Sequence, residues 1–285
     1  MRAPRFLPRA SGRPVRLAVA LACAGLAGGA LAETHETCVG FIDSVPATLT
    51  RQGVWCLRGD VSTGVTSGAA IEIAANNVTI DCNGFKIGGL AAGSATTANG
   101  IRATGRQNAV VRNCNVRGFL RGISLSGAGH LVEDNRLDGN RYVGIEASGD
   151  NNLVRGNRVF DTGGTTAFTP VTSYGIFGTA MVLDNTVDGM DATQGSHVVG
   201  IRLLSAGQAA RRNIVKNLVP RNGGEAVGVL AVTGAVVQDN FLYAGDAPTG
   251  TNGYGFRFGA ICTGNTVHGF STSHAGCATA SGNMP

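Results

Sequence analysis

"HLVEDNRLDGN" at residues 130–140 is followed by a near copy, "NLVRGNRVFDT", at 152–162. The two keep the Leu-Val pair, an Asn (Asn135 and Asn157) and the aliphatic residue two places beyond it, and they exchange most of the rest. Extended in both directions, the phrase becomes a template. It reads Gly, aliphatic, any, apolar, a short spacer, two aliphatic or small residues, two polar ones, Asn, any, aliphatic. It recurs as "GIRATGRQNAVVRNCNV" from Gly100, "GISLSGAGHLVEDNRL" from Gly122 and "GIEASGDNNLVRGNRV" from Gly144. It returns as "GIFGTAMVLDNTV" from Gly175, "GIRLLSAGQAARRNIV" from Gly200, "GVLAVTGAVVQDNFL" from Gly228 and "GFRFGAICTGNTV" from Gly255, and a degenerate first copy ends in "TIDCNGF" at 79–85.

Each copy holds two short stretches that alternate with period two, the signature of a strand. Ile101 and Ala103, Ile123 and Leu125, Ile201 and Leu203, and Phe256 and Phe258 would line a core, with Arg102, Ser124, Arg202 and Arg257 facing away. Asn83, Asn135, Asn157, Asn185, Asn213, Asn240 and Asn265 occupy the Asn position, where Cys114 is the exception. Stacked copies would place these side chains about 4.8 Å apart, close enough to exchange amide hydrogen bonds in a ladder.

A coil of roughly 21–31 residues with short strands, a turn Asn and no helical period resembles the right-handed parallel β-helix of the pectin-lyase-like superfamily. The resemblance covers about residues 40–270. It implies an all-β solenoid of about eight coils with an N-terminal cap, because a single coil cannot bury its own faces. A leucine-rich repeat also has a turn Asn and a period in the twenties, but the apolar spacing of "LVEDN" does not fit its pattern and no helical half-repeat follows. The expected organisation is an export segment at 1–32, a cap at 33–70, the β-helix at 71–270 and a C-terminal tail at 271–285.

The first 32 residues hold Arg2, Arg5, Arg9, Arg13 and Arg16, then an apolar run ending in Ala30-Leu31-Ala32, the layout of a secretory signal. A lipoprotein reading at Cys23 leaves too few apolar residues after Arg16. Of 23 basic residues five lie in this segment, so the remainder carries 18 against 18 acids and is formally neutral. Overall charge therefore gives no reason to expect nucleic acid or a membrane surface as partner. Six cysteines remain: Cys38, Cys56, Cys82, Cys114, Cys262 and Cys277. Export favours disulfides, although six cysteines allow fifteen pairings. Local pairs Cys38/Cys56 and Cys262/Cys277 would clamp the ends, with a Cys82/Cys114 bridge open. No Cys-x-x-Cys suggests zinc.

The spacing from Gly to the Asn position is nearly constant, whereas the spacing from there to the next Gly runs from 8 to 18 residues. The long segments 84–98, 162–173, 189–197, 219–226 and 245–253 all fall at one corner. Such stacked insertions would make a wall beside the first strands, and repeat proteins bind along such faces. Facing outward there are Tyr174 and Tyr254, one place before the Gly, and Glu146, Phe177, Arg202 and Arg257, one place after the first aliphatic residue. Aromatic faces among charged groups suit a sugar chain.

Evidence for chemistry is thin. The resemblance implies, for lyases, carboxylates around Ca²⁺ with an Arg base; for hydrolases, a close group of Asp; for alginate epimerases, Asp-Pro-His-Asp. No Asp-Pro occurs in this chain. Asp134, Asp184 and Asp239 read as turn residues on non-adjacent coils, and His197, Asp161, Asp188, Asp191 and His268 are scattered acid/base candidates near the wall. The expectation is an exported, secreted or periplasmic monomer that binds a polysaccharide or cell-surface glycan without a cofactor, a metal, nucleic acid or membrane insertion after the signal is removed. A polysaccharide lyase, epimerase or glycoside hydrolase is the alternative.

Overall fold

Every strand pairing among the described residues is parallel, and strands pair with those one coil before and after rather than with their chain neighbours. The computed structural model describes residues 38–169, 172–192, 197–221, 223–245, 253–257, 259–273 and 277–284; residues 1–32, read above as an export signal, lie outside them. The described chain is a right-handed parallel β-helix of about eight coils, and the single 3₁₀ turn Leu90–Ala92 is its only helix among the described residues.

Each coil has three strands rather than the two visible in the alternation. In one coil these are Arg121–Ala128, Leu131–Glu133 and Arg136–Asp138. The third strand begins directly after the ladder residue and is only three residues long there, too short for a period-two pattern to show. The third strands form a nine-stranded sheet of their own, one from the cap and eight from the repeats.

Register explains the template. Ile101, Ile123, Ile145, Ile176 and Ile201 lie side by side on successive first strands, all fully or almost fully buried. Val111, Val132, Val154 and Val182 form a second column, and Val116, Leu137, Val159, Val187 and Val215 a third. Each such side chain taken from water contributes about 1.5–3 kcal/mol, which a single coil without neighbours would forgo. Ala103, Leu125 and Leu203 line the same core, whereas Phe258 lies outside the described residues.

The template Gly has a steric cause. A Cβ on Gly122 would come within 2.6 Å of Leu137 Cδ2 and 2.7 Å of the Gly144 carbonyl oxygen, and one on Gly144 within 2.6 Å of the Gly175 oxygen and closer still to Val159. Each Gly therefore lies under the backbone of the next coil, where any side chain would force the coils apart.

The ladder runs Asn135, Asn157, Asn185, Asn213, Asn240, Asn265 and Asn283. Each Oδ1 accepts from the main-chain N–H of the preceding rung at 2.9–3.0 Å and, between Asn rungs, from its Nδ2. Asn83 does not belong to it. Asn83 is exposed with φ 50°, one place beyond the rung, which Cys82 occupies. Cys82 and Cys114 are the first two rungs and are joined by a disulfide. The Cys114 N–H then donates to Asn135 Oδ1 at 3.0 Å, which starts the amide ladder. Asp134, Asp184 and Asp239 precede their rungs at φ 54–59°, a left-handed turn position that Asp tolerates.

Both ends are pinned. Cys38–Cys56 ties the start of the cap to the cap strand Gly53–Cys56, and Cys262–Cys277 ties the last repeat to Cys277–Ser281. That final segment adds a strand to the second series, and Asn283 adds a rung.

Candidate functional site

The variable corner separates each third strand from the next first strand. Two consecutive corners are short, at 118–120 and 139–142, and the loops on either side meet above them. The Thr166 N–H donates to the Ser94 carbonyl at 3.0 Å, and the two hydroxyls lie 3.0 Å apart. The Thr165 N–H donates to the Arg141 carbonyl at 3.0 Å, which fastens the strap to the corner below. Loop 161–169 thereby carries Phe168, 42% exposed, to the rim of the first-strand face.

On that face two outward columns run along the solenoid. One stacks Arg121, Val143, Tyr174, Val199, Val227 and Tyr254, and the other Ser124, Glu146, Phe177, Arg202, Leu230 and Arg257. The site residues read from the sequence therefore share one face, two residues wide and several coils long. Only the backbones of Tyr254 and Arg257 are described; their side chains lie outside the described residues.

Tyr174 points out of the coil but is only 7% exposed. It packs in a satellite cluster with Val143, Val199 and Val227, flanked by Tyr142, Phe177 and Leu230. Its ring is 4.8 Å from Phe177 and 6.1 Å, edge-on, from Tyr142, whose other neighbour is Phe168 at 5.2 Å. A ligand would therefore meet Tyr142, Phe168 and Phe177, with Tyr174 beneath them. Burial, the largest cause, pushes the Tyr142 phenol above its ordinary pKa, so it stays protonated as a donor at neutral pH.

The charges are largely settled among themselves. Arg121 Nε is 2.7 Å from Glu146 Oε2, which also accepts from Ser124 Oγ at 3.1 Å, and Arg102 pairs with Glu72 at 2.6 Å. Arg202 differs. Its Nη1 donates to the Tyr174 hydroxyl at 2.7 Å and its guanidinium lies 5.6 and 5.7 Å from the Tyr174 and Phe177 ring centres, but no carboxylate pairs with it among the described residues.

A family model described as a right handed beta helix region matches residues 99–283. The chain belongs to the right-handed β-helix family. No curated protein matches this β-helix significantly. Among solved structures it is similar to the Dettilon tailspike protein at 17% identity and TM-score 0.45, over 80% of this chain and 53% of that one. It is also similar to an alginate lyase from Paenibacillus sp. str. FPU-7 (13%, TM-score 0.35, 86% and 99% covered). A third is the mannuronan C-5 epimerase A-module of Azotobacter vinelandii (12%, TM-score 0.32, 86% and 87%). The chain spans about half the tailspike's length. Likenesses this remote carry no argument about function.

The β-helix does not gather the acid/base candidates into a centre. Asp191 is engaged by Arg221 through two hydrogen bonds, and Asp188 by Lys216 at 3.2 Å and Asn217 at 2.7 Å. His197 Nδ1 accepts the Glu225 N–H at 3.1 Å, and His268 lies against Phe241. Asp161 sits at a left-handed turn, its pKa raised by burial first and then by Asp138 and Asp188. Among the described residues no three His, Cys, Asp or Glu side chains are grouped to hold a metal, and no helix is long and apolar enough to cross a membrane.

Arg121, Tyr142 and Phe168 were missed from the sequence. Arg121 occupies the place before the template Gly, the same column as Tyr174, so the rule that found Tyr174 applies to it. Tyr142 is one place out of that column, and Phe168 sits in an insertion that has no register at all.

Proposed function

We propose that the chain is exported and binds an acidic polysaccharide along the first-strand face beside the wall, as a binding protein rather than by transforming the sugar. The observation that carries this reading is Arg202, a cation held in place by a phenol and two rings with no carboxylate partner among the described residues. A uronate carboxylate would meet a guanidinium whose orientation is already fixed, and it would not have to break an ion pair to do so. Tyr142, Phe168 and Phe177 offer ring faces and edges to sugar C–H groups, and the Glu146 carboxylate, held by Arg121 and Ser124, can accept from hydroxyls. Three disulfides accord with a compartment outside the cytosol, as does the arginine-led apolar segment at 1–32.

Calorimetry with a uronic-acid hexasaccharide and a neutral one of equal length tests the proposal. Arg202→Ala should weaken binding of the acidic ligand by about 1–2 kcal/mol, roughly five- to thirtyfold. Tyr174→Phe, which removes the hydroxyl holding the guanidinium, should cost about 0.5–1 kcal/mol. Arg155→Ala should change nothing, because Arg155 lies in the second strand series and is engaged by Glu133 at 2.6 Å. Equal affinity across the variants, or no binding by the wild type, would reject the proposal. Ultraviolet absorbance from unsaturated uronate in the same samples would make the protein a lyase instead.

A further inference from the structure

The nine-stranded sheet of third strands has an outer face of its own, on which cations accumulate over four consecutive coils. Lys86, Asn115, Arg136 and Arg158 lie in register along one column, and Arg117 shares the next column with Asp138 and Phe160. The Arg136 and Arg158 guanidinium carbons stand 4.5 and 5.5 Å from the centre of the Phe160 ring, so one aromatic side chain holds two cations from adjacent coils. Two adjoining hollows open here. One of about 420 Å³ is lined by Lys86, Asn115, Arg117 and Arg136 together with Asp60 and Asp138, and one of about 440 Å³ shares Asn115 and Arg136 and adds Arg158.

The local carboxylates engage Lys86 and, more loosely, Arg136, and leave the other two cations without one. Asp60 is engaged by the ammonium and N–H of Lys86 at 3.0 and 2.8 Å, Asp138 is 3.8 Å from Arg136, and Asp134 lines the second hollow from its turn. Arg117 and Arg158 have no carboxylate partner among the described residues, and the shielded Nε of Arg117 has no hydrogen-bond partner at all. The sheet fixes the coil spacing at about 4.8 Å, so the cations repeat at roughly one coil per sugar unit.

We infer that this face is a second anion-binding stripe, separate from the wall, that takes successive carboxylate or sulfate groups of an extended polyanionic glycan. The acidic groups would lie in the two hollows against Arg117, Arg136 and Arg158, each accepting charge-assisted hydrogen bonds. A single-stranded nucleic acid fits less well. Phe160, the aromatic ring of the stripe, is half-buried behind two guanidiniums and leaves no platform on which bases can stack.

The stripe and the wall lie on different sheets, so each is tested without the other. The probes are a hexagalacturonate, a sulfated hexasaccharide and a hexanucleotide, titrated calorimetrically at low salt into the chain and into Arg117→Gln/Arg158→Gln and Arg202→Gln variants. The stripe variant should weaken one binding event by more than about tenfold while leaving the event sensitive to Arg202 in place. If the wall proposal is wrong, a single event should remain, abolished by the stripe variant and indifferent to Arg202→Gln. Single Arg158→Glu, at an exposed position, gives the same reading should the double variant unfold. Unchanged binding in the stripe variants, no binding of either glycan, or tighter binding of the hexanucleotide would each overturn the inference.

Discussion

Replacing Asn157 by Leu removes a rung from the middle of the ladder while keeping a side chain forked at Cγ. Asn157 is fully buried. Its Oδ1 accepts from the Asn135 N–H and Nδ2 at 3.0 Å each, and its Nδ2 donates to the Val132 carbonyl at 2.8 Å, the Arg155 carbonyl at 2.9 Å and Asn185 Oδ1 at 3.0 Å. In the variant the Asn135 N–H loses its acceptor. Asn135 Nδ2 keeps the Val111 carbonyl, and Asn185 Oδ1 keeps the residue 157 main-chain N–H. One orphaned buried donor costs about 1–3 kcal/mol, and two weakened carbonyls add to it, so the expected loss is about 2–4 kcal/mol. For a chain of this size that lowers the melting temperature by roughly 5–15 °C. Urea unfolding should show a lower midpoint with an unchanged slope. Arg158→Ala, next in sequence but exposed and, among the described residues, held by its contact with Phe160, should lose no more than about 1 kcal/mol. Equal losses at the two positions would refute the ladder's contribution.

Gly144→Ala should destabilise by about 1–3 kcal/mol, because its Cβ would meet the buried, β-branched Val159 side chain and, at 2.6 Å, the next coil's Gly175 carbonyl oxygen; thermal melting measures it, and a neutral result would mean that the coils separate freely. His130 is almost fully buried and accepts the Ala109 N–H through Nδ1 at 3.2 Å, and burial depresses its pKa below 6.5. Its contribution is therefore complete above pH 6.5 and is lost as pH falls through the lower folded pKa. Urea midpoints should decline over that window in the wild type and decline less in His130→Asn, with parallel curves as the contrary result. Replacing Cys262 and Cys277 by Ser should speed amide hydrogen exchange in 260–284 and leave the central coils unchanged, since only the last repeat loses its tie. Uniform acceleration would show that the bridge stabilises the whole solenoid.

How much of this was legible in the sequence depended on whether a residue's role repeats. The core columns and most of the ladder were visible because stacking forces the same residue type at the same template position on every coil, as Ile123, Ile145 and Ile176 show. Asn83 was misplaced because the first copy is degenerate: Cys82, bridged to Cys114, turns inward there, and Asn83 takes a left-handed turn one place after it, whereas Asn113 and Asp134 take theirs one place before the rung. The third strand escaped notice because most of its copies are only three residues long. At the wall, alternation correctly turned Tyr174 out of the coil but carried no information about what would cover it. That cover comes from Tyr142, Phe177 and Leu230 as well as from neighbours in its own column, and the strap that brings Phe168 to the rim lies in an insertion. The unpaired state of Arg202 was equally invisible: the carboxylate of its own column, Glu146, lies two coils away and is engaged by Arg121.

The most direct measurement is a crystal structure of the protein with a uronic-acid hexasaccharide. The account predicts a carboxylate about 3 Å from the Arg202 guanidinium, with the sugar chain running along the coil axis over Phe177 between Glu146 and Leu230. A bound oligosaccharide that leaves this face empty, or one whose carboxylates all lie away from Arg202, would contradict it.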